Sequence, residues 1–500
     1  MQAGYALRHV SLGLTLNADS SARLLSDEQY TYYKDGSFGV AQLHPLGGPI
    51  GGSTTLHVYL ADEALLVDLG GTLHGPTCRY TYSELQPSRG ETIARVVHVA
   101  ATLASCGGAR ECGAGWGALR CLTPAYTGPL GGSGTSDVTV EVTLNGQDYS
   151  STGLAFRYYD PASWRLDAFS PHGGPLSGNT SVVLTTAMLQ SLGDPMCRFG
   201  EHPHSSLVNA SVESAGVARC VSPAHWMPAH GLQHAELQLT LNGQDWMRVG
   251  AQRGIFTYFA LDEPSFGLSV LQLTPNGGPS VGGTTVTVHG SGFVDLGGLM
   301  CQFEGEDAVP ATRLGIARIK CHSPATSLVA SNATSSASIF EPRAVEVTLN
   351  GQLNALTSMR VGFSYYEAER VTLSHVYPQG GPSRGGLRVT LRGYGFRDLD
   401  HGRGLACSFG ASALIPATLA EGSSDQLLCE SPPLRLAART DAGNGMQCTL
   451  PRGTVSIRVT LNGNNSASSA MTVGALNYTF LDVDGRAASP SQSGVAEHFY

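Results

Sequence analysis

One eight-residue pattern occurs four times and constrains the fold more than any other feature. The copies are Val-Glu-Val-Thr-Leu-Asn-Gly-Gln at 140–147, Leu-Gln-Leu-Thr-Leu-Asn-Gly-Gln at 237–244, Val-Glu-Val-Thr-Leu-Asn-Gly-Gln at 345–352 and Ile-Arg-Val-Thr-Leu-Asn-Gly-Asn at 457–464. A fragment of a fifth, Thr15-Leu16-Asn17, lies near the N-terminus. Successive asparagines are separated by 97 residues (242 minus 145) to 128 residues (145 minus 17), a spacing of whole domains rather than of solenoid units. The chain is therefore predicted to be a tandem array of similar domains.

Each copy of the pattern predicts a strand followed by a turn. Val140, Val142 and Leu144 alternate with polar residues, as in a strand with one buried and one exposed face. The Asn-Gly that follows suits a two-residue type I′ turn, in which both central residues need positive φ. A second strand then ends in an aromatic pattern, Phe156-Arg-Tyr-Tyr159 in the first copy. We expect a closing hairpin in each domain, with room for a bulge or a longer loop between its strands.

The repeated landmarks also set domain boundaries. Each complete repeat opens with a Pro-x-Gly-Gly-Pro turn, at 45–49, 171–175, 275–279 and 378–382. We expect the C-terminal part of a truncated domain at 1–35, complete domains at 36–160 (with an insertion), 161–261, 262–367 and 368–481, and a linker or the start of a next segment at 482–500. A chain that opens inside a domain is expected to be a piece of a longer protein. The alternative is an intact cytosolic chain with a strand-rich tail.

Composition narrows the class of protein. Charged residues make up 14% of the chain, and it has 63 glycines and 26 prolines. Sparse charge, many turn formers and many Val, Thr and Leu residues favour an all-β protein. The net charge is −9, from 30 basic and 39 acidic residues, which disfavours nucleic-acid binding because that affinity comes mainly from neutralising phosphates. The sequence has neither an apolar run long enough to span a membrane nor a signal-peptide pattern at its start.

The cysteines recur in register, one pair in each repeat. One pair per domain is the pattern of a structural disulfide, with free buried thiols and metal ligands as the alternatives. Metal sites would need clustered ligands such as C-x2-C, and the sequence has none. The expected pairs are Cys78 with Cys121, Cys197 with Cys220, Cys301 with Cys321 and Cys407 with Cys429. Cys106 and Cys112 form a candidate fifth pair, although four cysteines in one repeat allow three connectivities, and Cys448 is left over.

Taken together, the motifs resemble the IPT/TIG domain. They are the Pro-x-Gly-Gly-Pro turn, Gly282-Gly283-Thr284, Gly290-Ser-Gly-Phe293, Cys197-Arg-Phe-Gly200, Cys220-Val-Ser-Pro223 and the closing aromatic strand, in the same order in successive repeats. The first two repeats lack Gly-x-Gly-Phe. IPT/TIG modules occur in plexins, in the hepatocyte-growth-factor receptor family, in fibrocystin-type surface proteins and in some transcription factors. The resemblance implies a tandem array of immunoglobulin-like β-sandwiches of about seven strands each.

Other candidate sites are weaker. N-x-[ST] sequons, which are glycosylation candidates, occur at Asn179, Asn209, Asn332, Asn464 and Asn477. Asn209 and Asn332 lie in loop-like sequence and are the preferred acceptors, whereas Asn477 falls in the predicted last strand. The second repeat is rich in histidine, but these residues are interpreted as exposed loop histidines; they are His202, His204, His225, His230 and His234. The sequence contains no pattern of a catalytic, cofactor-binding or metal site, so we expect neither an enzyme nor a cofactor.

These observations predict a non-enzymatic extracellular or cell-surface glycoprotein fragment whose domains act as spacers and as adhesion or ligand-binding modules. The expected partner is a protein or carbohydrate ligand at the cell surface and not a nucleic acid, and a plasma-membrane anchor would lie outside this fragment. One alternative is an intracellular scaffold or transcription-regulator-like IPT protein. Another is the non-catalytic accessory region of a larger surface enzyme. Binding specificity is expected where the repeats differ, in the 79–120 insertion, the histidine-rich loops and the 433–453 segment.

Overall fold

The computed structural model describes most of the chain, in two compact units. The described residues are 8–15, 24–32, 39–61, 66, 75–86, 91–105, 116–150, 152–164, 166–186, 190–201, 205–225, 232–248, 254–265, 267–327, 339–421, 423–434, 453–463 and 476–481. One unit comprises residues 1–170, 181–223 and 234–256, and the other comprises 171–180, 224–233 and 257–500. The sheets are mainly antiparallel, with one short parallel pair in each complete repeat, and the chain is a series of immunoglobulin-like sandwiches.

The first unit opens with a two-stranded antiparallel sheet, which is followed by the first complete repeat. The strands of the two-stranded sheet are β1 (Arg8–Leu14) and β2 (Leu24–Tyr32). The strands of the repeat are β3 (Val40–His44), β4 (Gly47–Pro49), β5 (Thr55–Leu60), β6 (Thr77–Gln86), β7 (Glu91–Ala100), β8 (Thr102–Ser105), β9 (Trp116–Leu122), β10 (Thr135–Thr143) and β11 (Leu154–Tyr159). They form two sheets, in the orders β3-β5-β9-β8 and β4-β11-β10-β6-β7.

The second repeat follows the same plan, but one strand joins its two sheets. Its strands are β12 (Ala168–Ser170), β13 (Gly173–Pro175), β14 (Ser181–Thr185), β15 (Met196–Phe199), β16 (Ser206–Ser214), β17 (Val217–Val221), β18 (Gln233–Thr240), β19 (Trp246–Arg248) and β20 (Ile255–Phe259). Within the first unit, the start of β16 pairs with β15 and its end pairs with β17. Within the second unit, β13 pairs in parallel with the last residues of β20.

The second unit contains the third and fourth repeats. The strands of the third are β21 (Ser269–Thr274), β22 (Gly277–Pro279), β23 (Thr285–Ser291), β24 (Met300–Phe303), β25 (Val309–Pro310), β26 (Thr312–Gly315), β27 (Arg318–His322), β28 (Phe340–Thr348) and β29 (Val361–Tyr366). Those of the fourth are β30 (Thr372–Tyr377), β31 (Gly380–Pro382), β32 (Arg388–Tyr394), β33 (Ala406–Phe409), β34 (Ile415–Pro416), β35 (Thr418–Leu419), β36 (Gln426–Glu430), β37 (Thr454–Thr460) and β38 (Leu476–Leu481). Short 3-10 turns occupy Leu353–Ala355 and Ala368–Arg370. The third and fourth repeats each have one four-stranded and one five-stranded sheet.

Aromatic side chains of the closing strands lie in the cores, and in the first and third repeats one of them bonds to the proline of the second cysteine motif. Phe363 and Tyr365, on the closing strand of the third repeat, are fully buried. The Tyr365 hydroxyl donates to the Pro324 carbonyl oxygen (3.1 Å), and Tyr158 makes the same bond to Pro124 (2.8 Å) in the first repeat. The closing strands therefore supply the core with aromatic side chains.

In the part of the chain that the structure describes, four disulfides cross-link the sandwiches. They link Cys78 to Cys121, Cys197 to Cys220, Cys301 to Cys321 and Cys407 to Cys429, and all eight residues are at most 4% exposed. Each bond joins the strand that contains the first motif cysteine to the strand that contains the second. In the third repeat these are β24 and β27, which lie in different sheets. Each disulfide therefore contributes to the stability of a single sandwich. Among the described residues, no helix is long and apolar enough to cross a membrane.

Candidate functional site: the junctions between neighbouring repeats

The Thr-Leu-Asn-Gly turn is held by its own asparagine side chain. In the third repeat, Asn350 Oδ1 accepts hydrogen bonds from the Thr348 hydroxyl (2.9 Å) and from the Gln352 backbone N–H (3.1 Å). The corresponding threonine and asparagine side chains bond in the other three repeats at 3.1–3.2 Å. Because Oδ1 is engaged within the turn, the amide nitrogen Nδ2 of Asn350 is directed away from it.

The predicted two-residue type I′ turn is wrong. Gly351 has a φ of 73°, but Asn350 is not among the residues with positive φ. The hairpin is also longer than that turn allows, since in the first repeat the ladder between β10 and β11 ends at the pair Val140 and Leu154. The asparagine is therefore selected for its side chain rather than for left-handed backbone.

The amide nitrogen of this side chain binds the preceding repeat. Within the second unit, Asn350 Nδ2 donates to the Gly173 carbonyl oxygen (3.1 Å) and Asn462 Nδ2 donates to that of Gly277 (3.3 Å). Within the first unit, Asn242 Nδ2 donates to the Gly47 carbonyl oxygen (3.1 Å). All three asparagines are at most 5% exposed. The most repeated motif of the chain thus fastens a repeat to the Pro-x-Gly-Gly-Pro turn of the repeat before it.

A backbone hydrogen bond accompanies each asparagine contact. The residue before the two glycines donates its N–H to a leucine carbonyl of the next repeat, as His172 does to Leu296 (2.7 Å). The leucine N–H in turn donates to the residue before the asparagine, as Leu296 does to Leu349 (3.2 Å). The same two bonds connect Leu46, Leu192 and Leu241 in the first unit, and Asn276, Leu399 and Leu461 in the second. The junction is therefore one continuous arrangement of hydrogen bonds that occurs three times.

The first glycine of the Pro-x-Gly-Gly-Pro turn is required by this close approach. A Cβ on Gly173 would lie 2.5 Å from Leu296 Cδ1 and 2.3 Å from the Thr257 carbonyl oxygen. A Cβ on Gly277 would lie 2.8 Å from Leu399 Cδ1. Any larger residue would push the two repeats apart, which explains why the motif keeps a glycine here.

Side chains that are not repeated distinguish one junction from another. In the first unit, His44 Nε2 lies 2.7 Å from Asp194 Oδ2, and the Gln244 side chain both donates to and accepts from the Thr55 backbone (2.8 Å each). In the second unit, His401 Nε2 of the fourth repeat lies 3.1 Å from the Leu273 carbonyl oxygen of the third. Each junction therefore has a common hydrogen-bonded part and its own polar surroundings.

The turn of the first repeat has a different environment. Asn145 is exposed, and its Nδ2 donates to Asp148 Oδ2 (2.9 Å). Its Oδ1 still accepts from the backbone N–H groups of Gln147 and Asp148 (2.9 Å each). The turn geometry is thus independent of a neighbouring repeat, and the same turn is exposed here and buried in the other three repeats.

The insertion of the first repeat forms a long hairpin. Strands β6 and β7 pair over ten residues each, from Thr77 with Ala100 to Gln86 with Glu91. Strand β10 pairs with β6 only from Thr77 to Thr81, so the outer half of the hairpin extends beyond its neighbour. Tyr82 anchors this half, since its ring packs on Tyr126 with the ring centroids 4.7 Å apart.

One open groove in the first unit has a charged lining. It has a volume of about 570 Å³ and is bordered by Arg157, Trp164 and Gln190, among others. Arg157 donates two hydrogen bonds to the Asp137 carboxylate (2.7 Å each), so the pKa of Asp137 is lowered. The arginine charge is therefore balanced by its own strand partner, and the groove has no further charged lining residue.

The other sequence-predicted sites are distributed over the surface or lie outside the described residues. Asn179, Asn209 and Asn477 are exposed, but Asn209 lies in strand β16 and not in the loop that the sequence suggested. His225 stacks on the ring of Tyr258, with the centroids 4.6 Å apart, and its burial lowers its pKa. His234 lies at the start of strand β18. Residues outside the described ranges are Cys106, Cys112, Cys448, Asn332, Asn464, His202, His204 and His230. Within the described ranges no group of three or more His, Cys, Asp or Glu side chains is arranged to hold a metal.

Comparison with known proteins identifies two of the repeats. Residues 268–365 and 372–480 match the IPT/TIG domain family, so the third and fourth repeats are IPT/TIG domains. For residues 36–261 the resemblance to this family stays a prediction. A comparison with curated protein sequences finds no match.

Similar solved structures are ectodomains. The plexin A4 extracellular region (domains 1 to 8) is 11% identical, with 88% of this chain and 48% of that chain covered and a TM-score of 0.27. An ICAM-5 D1–D4 ectodomain fragment is 12% identical, with 89% and 100% covered and a TM-score of 0.17. The human desmocollin-1 ectodomain is 9% identical, with 91% and 83% covered and a TM-score of 0.14. The chain spans about half the length of the plexin region.

Proposed function

We propose that this chain is a non-enzymatic region of an extracellular or cell-surface protein, in which tandem domains act as spacers and as adhesion or ligand-binding modules. The observation that carries the spacer role is the repeated junction. Within each unit, neighbouring repeats are joined by the same asparagine and backbone hydrogen bonds, and the three asparagines are buried. Buried hydrogen bonds of this kind resist separation because breaking them leaves polar groups without partners.

The buried disulfides support the extracellular part of the proposal. Disulfides persist in oxidising compartments and are rare in the cytosol. A protein or carbohydrate ligand at the cell surface is the proposed partner. It would contact the sandwich faces and the segments that are not repeated, because these are the exposed parts in which the domains differ. Glycosylation at the exposed Asn179, Asn209 and Asn477 belongs to the same proposal.

The compartment is tested by chemistry on the protein as cells make it. The chain is expressed with its native flanking sequence in animal cells, and its thiols are alkylated before and after unfolding without reductant. Mass spectrometry is expected to find disulfide-linked peptides for the four pairs and glycans on exposed sequons. Free thiols at Cys197, Cys220, Cys301 and Cys321 in protein from its native compartment would contradict the proposal. The same chain made in a reducing cytosol is the control.

A further inference from the structure

The strand that follows the first motif cysteine differs sharply between repeats. In the first repeat it is β7, ten residues long, at the edge of the sheet β4-β11-β10-β6-β7. Its counterparts in the third and fourth repeats, β25 and β34, have two residues each. Both short strands end in proline, at Pro310 and Pro416. In the second repeat the counterpart β16 has nine residues but pairs with both β15 and β17. Among the described strands, β7 is therefore the long one that lies at a sheet edge over its whole length.

Short strands and prolines are the means by which proteins protect sheet edges from pairing with other chains. Strand β7 has neither protection, and it is rich in residues that favour strands, with Thr92, Ile93, Val96, Val97 and Val99. Arg95 is the only charged residue between positions 92 and 100. Its guanidinium donates to Glu84 Oε2 (3.2 Å) in its own hairpin, so its charge is already paired.

The two faces of β7 are distinct. Val97 and Val99 lie on the inner face, opposite the buried Tyr80 and Cys78, and pack against the core. Val96 lies on the outer face and is 45% exposed. Ile93, on the inner face but beyond the end of β10, is 40% exposed. A strand added to this edge would extend an inner row in which Arg95 lies between Ile93 and Val97, and an outer row of Thr92, Ala94, Val96, His98 and Ala100.

We propose that β7 is the site at which two copies of this chain associate, by antiparallel pairing of their β7 strands about a twofold axis at Val96. A twofold axis perpendicular to the sheet places the inner faces of the two β7 strands on the same side of the combined sheet. Val96 then pairs with Val96, Ile93 with Val99 and Arg95 with Val97 of the other copy. This centre pairs every residue from 92 to 100. A centre at Arg95 would instead place two guanidinium groups opposite each other. The self-complementary side chains favour a second copy over a strand of a different protein.

The test uses charge at the centre of the proposed pairing. Sedimentation velocity of the full chain is compared, from low micromolar to submillimolar concentration, for the wild type, Val96→Lys and Val96→Glu. The matched control is Val221→Lys, because Val221 is 47% exposed in a strand of the same unit that is internal to its sheet. The wild type and the control are expected to dimerise. Each single-charge variant is expected to dimerise roughly tenfold more weakly or worse, because like charges face each other across the axis.

Mixing the two variants distinguishes self-pairing from every other contact. An equimolar mixture of Val96→Lys and Val96→Glu places an ammonium opposite a carboxylate, and is expected to recover dimerisation to within about threefold of the wild type. Hydrogen exchange of residues 92–100 is expected to slow as wild-type concentration rises. The proposal would be overturned if the wild type stayed monomeric at all concentrations, or if Val96→Lys and Val96→Glu dimerised as strongly as the wild type. It would also be overturned if the mixture of the two variants stayed monomeric.

Discussion

The first and third repeats have the same sandwich plan but expose different parts of it. In the third repeat, Asn350 is 5% exposed and binds Gly173, and the edge strand β25 has two residues. In the first repeat, Asn145 is exposed and bonds to Asp148, and the edge strand β7 has ten residues. The turn itself is built in the same way in both, so its environment rather than its geometry has changed.

This difference separates two kinds of sequence information. Residues that recur in every repeat are those of the core, of the disulfide and of the junction, and they make the same contacts wherever a neighbouring repeat is present. Residues that occur in one repeat only, such as those of the outer half of the β6–β7 hairpin, form structure that is specific to that repeat. Three predictions follow from this comparison, in order of decreasing effect on stability.

The largest effect is expected from removing a disulfide. The pair Cys78 and Cys121 spans 43 residues, including the hairpin insertion, whereas Cys301 and Cys321 span 20. By loop-closure entropy, replacing both cysteines with alanine costs the third repeat about 3 kcal/mol and the first about 4 kcal/mol. Hydrogen exchange with mass spectrometry measures the opening free energy of each repeat in the full chain. The repeat whose disulfide is intact serves as the internal control, and a larger loss in the third repeat would contradict the comparison.

A smaller effect is expected from changing the junction asparagine. Asn350→Asp keeps the oxygen that accepts from Thr348 and Gln352 but replaces the donor to the Gly173 carbonyl with a carboxylate oxygen. An acceptor that faces an acceptor in a buried site costs about 2–3 kcal/mol. Asn145→Asp, at the exposed turn, is the matched variant and is expected to cost less than about 1 kcal/mol, because exposed charges are screened by water.

The measurement for this pair is the exchange rate of the junction amides. His172 donates its N–H across the junction to Leu296, and its exchange is expected to rise roughly 30-fold or more in Asn350→Asp. Peptides around Asn145 are expected to change little in Asn145→Asp. Equal effects of the two substitutions would mean that the asparagine matters only for its turn, and that the contact with Gly173 adds no stability.

Local patterns in the sequence predicted the strands and the cysteine pairs, and the resemblance of these motifs to the IPT/TIG domain implied the sandwiches. The alternation of Val140, Val142 and Leu144 identified a strand, and these residues are buried in β10 and the turn after it. The cysteine register identified partners that the structure joins by disulfides. Such features depend on neighbours along the chain or on a short separation, so a repeated local pattern reports them directly.

The junction was not predicted, because its partners are distant in sequence. Asn350 and Gly173 are 177 residues apart, and the preference of Asn-Gly for hairpin turns offered a local explanation that proved wrong. A signal was present in the sequence, since the Leu-Asn-Gly and Pro-x-Gly-Gly-Pro motifs always occur together. The hairpin of the insertion was missed for a different reason. Residues 92–99 have the composition of a strand, but the segment occurs in one repeat only, so no second copy was available for comparison.

The smallest effect is a dependence on pH that arises at one position of the first repeat and has no counterpart at the equivalent position of the third. His57 lies on β5, and Thr287 occupies the equivalent position on β23 of the third repeat. Burial lowers the pKa of His57 below its usual value of 6.5, and the nearby charges of His44 and Arg120 lower it further. The unfolded chain therefore binds a proton at this histidine at a higher pH than the folded chain does. The resulting stability is present above about pH 6.5 and is lost as the pH falls through the folded pKa.

Replacing His57 with the threonine of the third repeat isolates this contribution. Stability of the first repeat is measured by hydrogen exchange at several pH values, and the ratio of wild-type to His57→Thr rates at one pH cancels the intrinsic pH dependence of exchange. The wild type is expected to lose stability relative to the variant between about pH 7 and pH 5, and the third repeat of both proteins is expected to be unchanged. A ratio of exchange rates that is constant with pH, or that changes in the opposite direction, would show that the fold does not hold His57 uncharged. The first and third repeats would then share their response to acid at this position, as they share their strand plan.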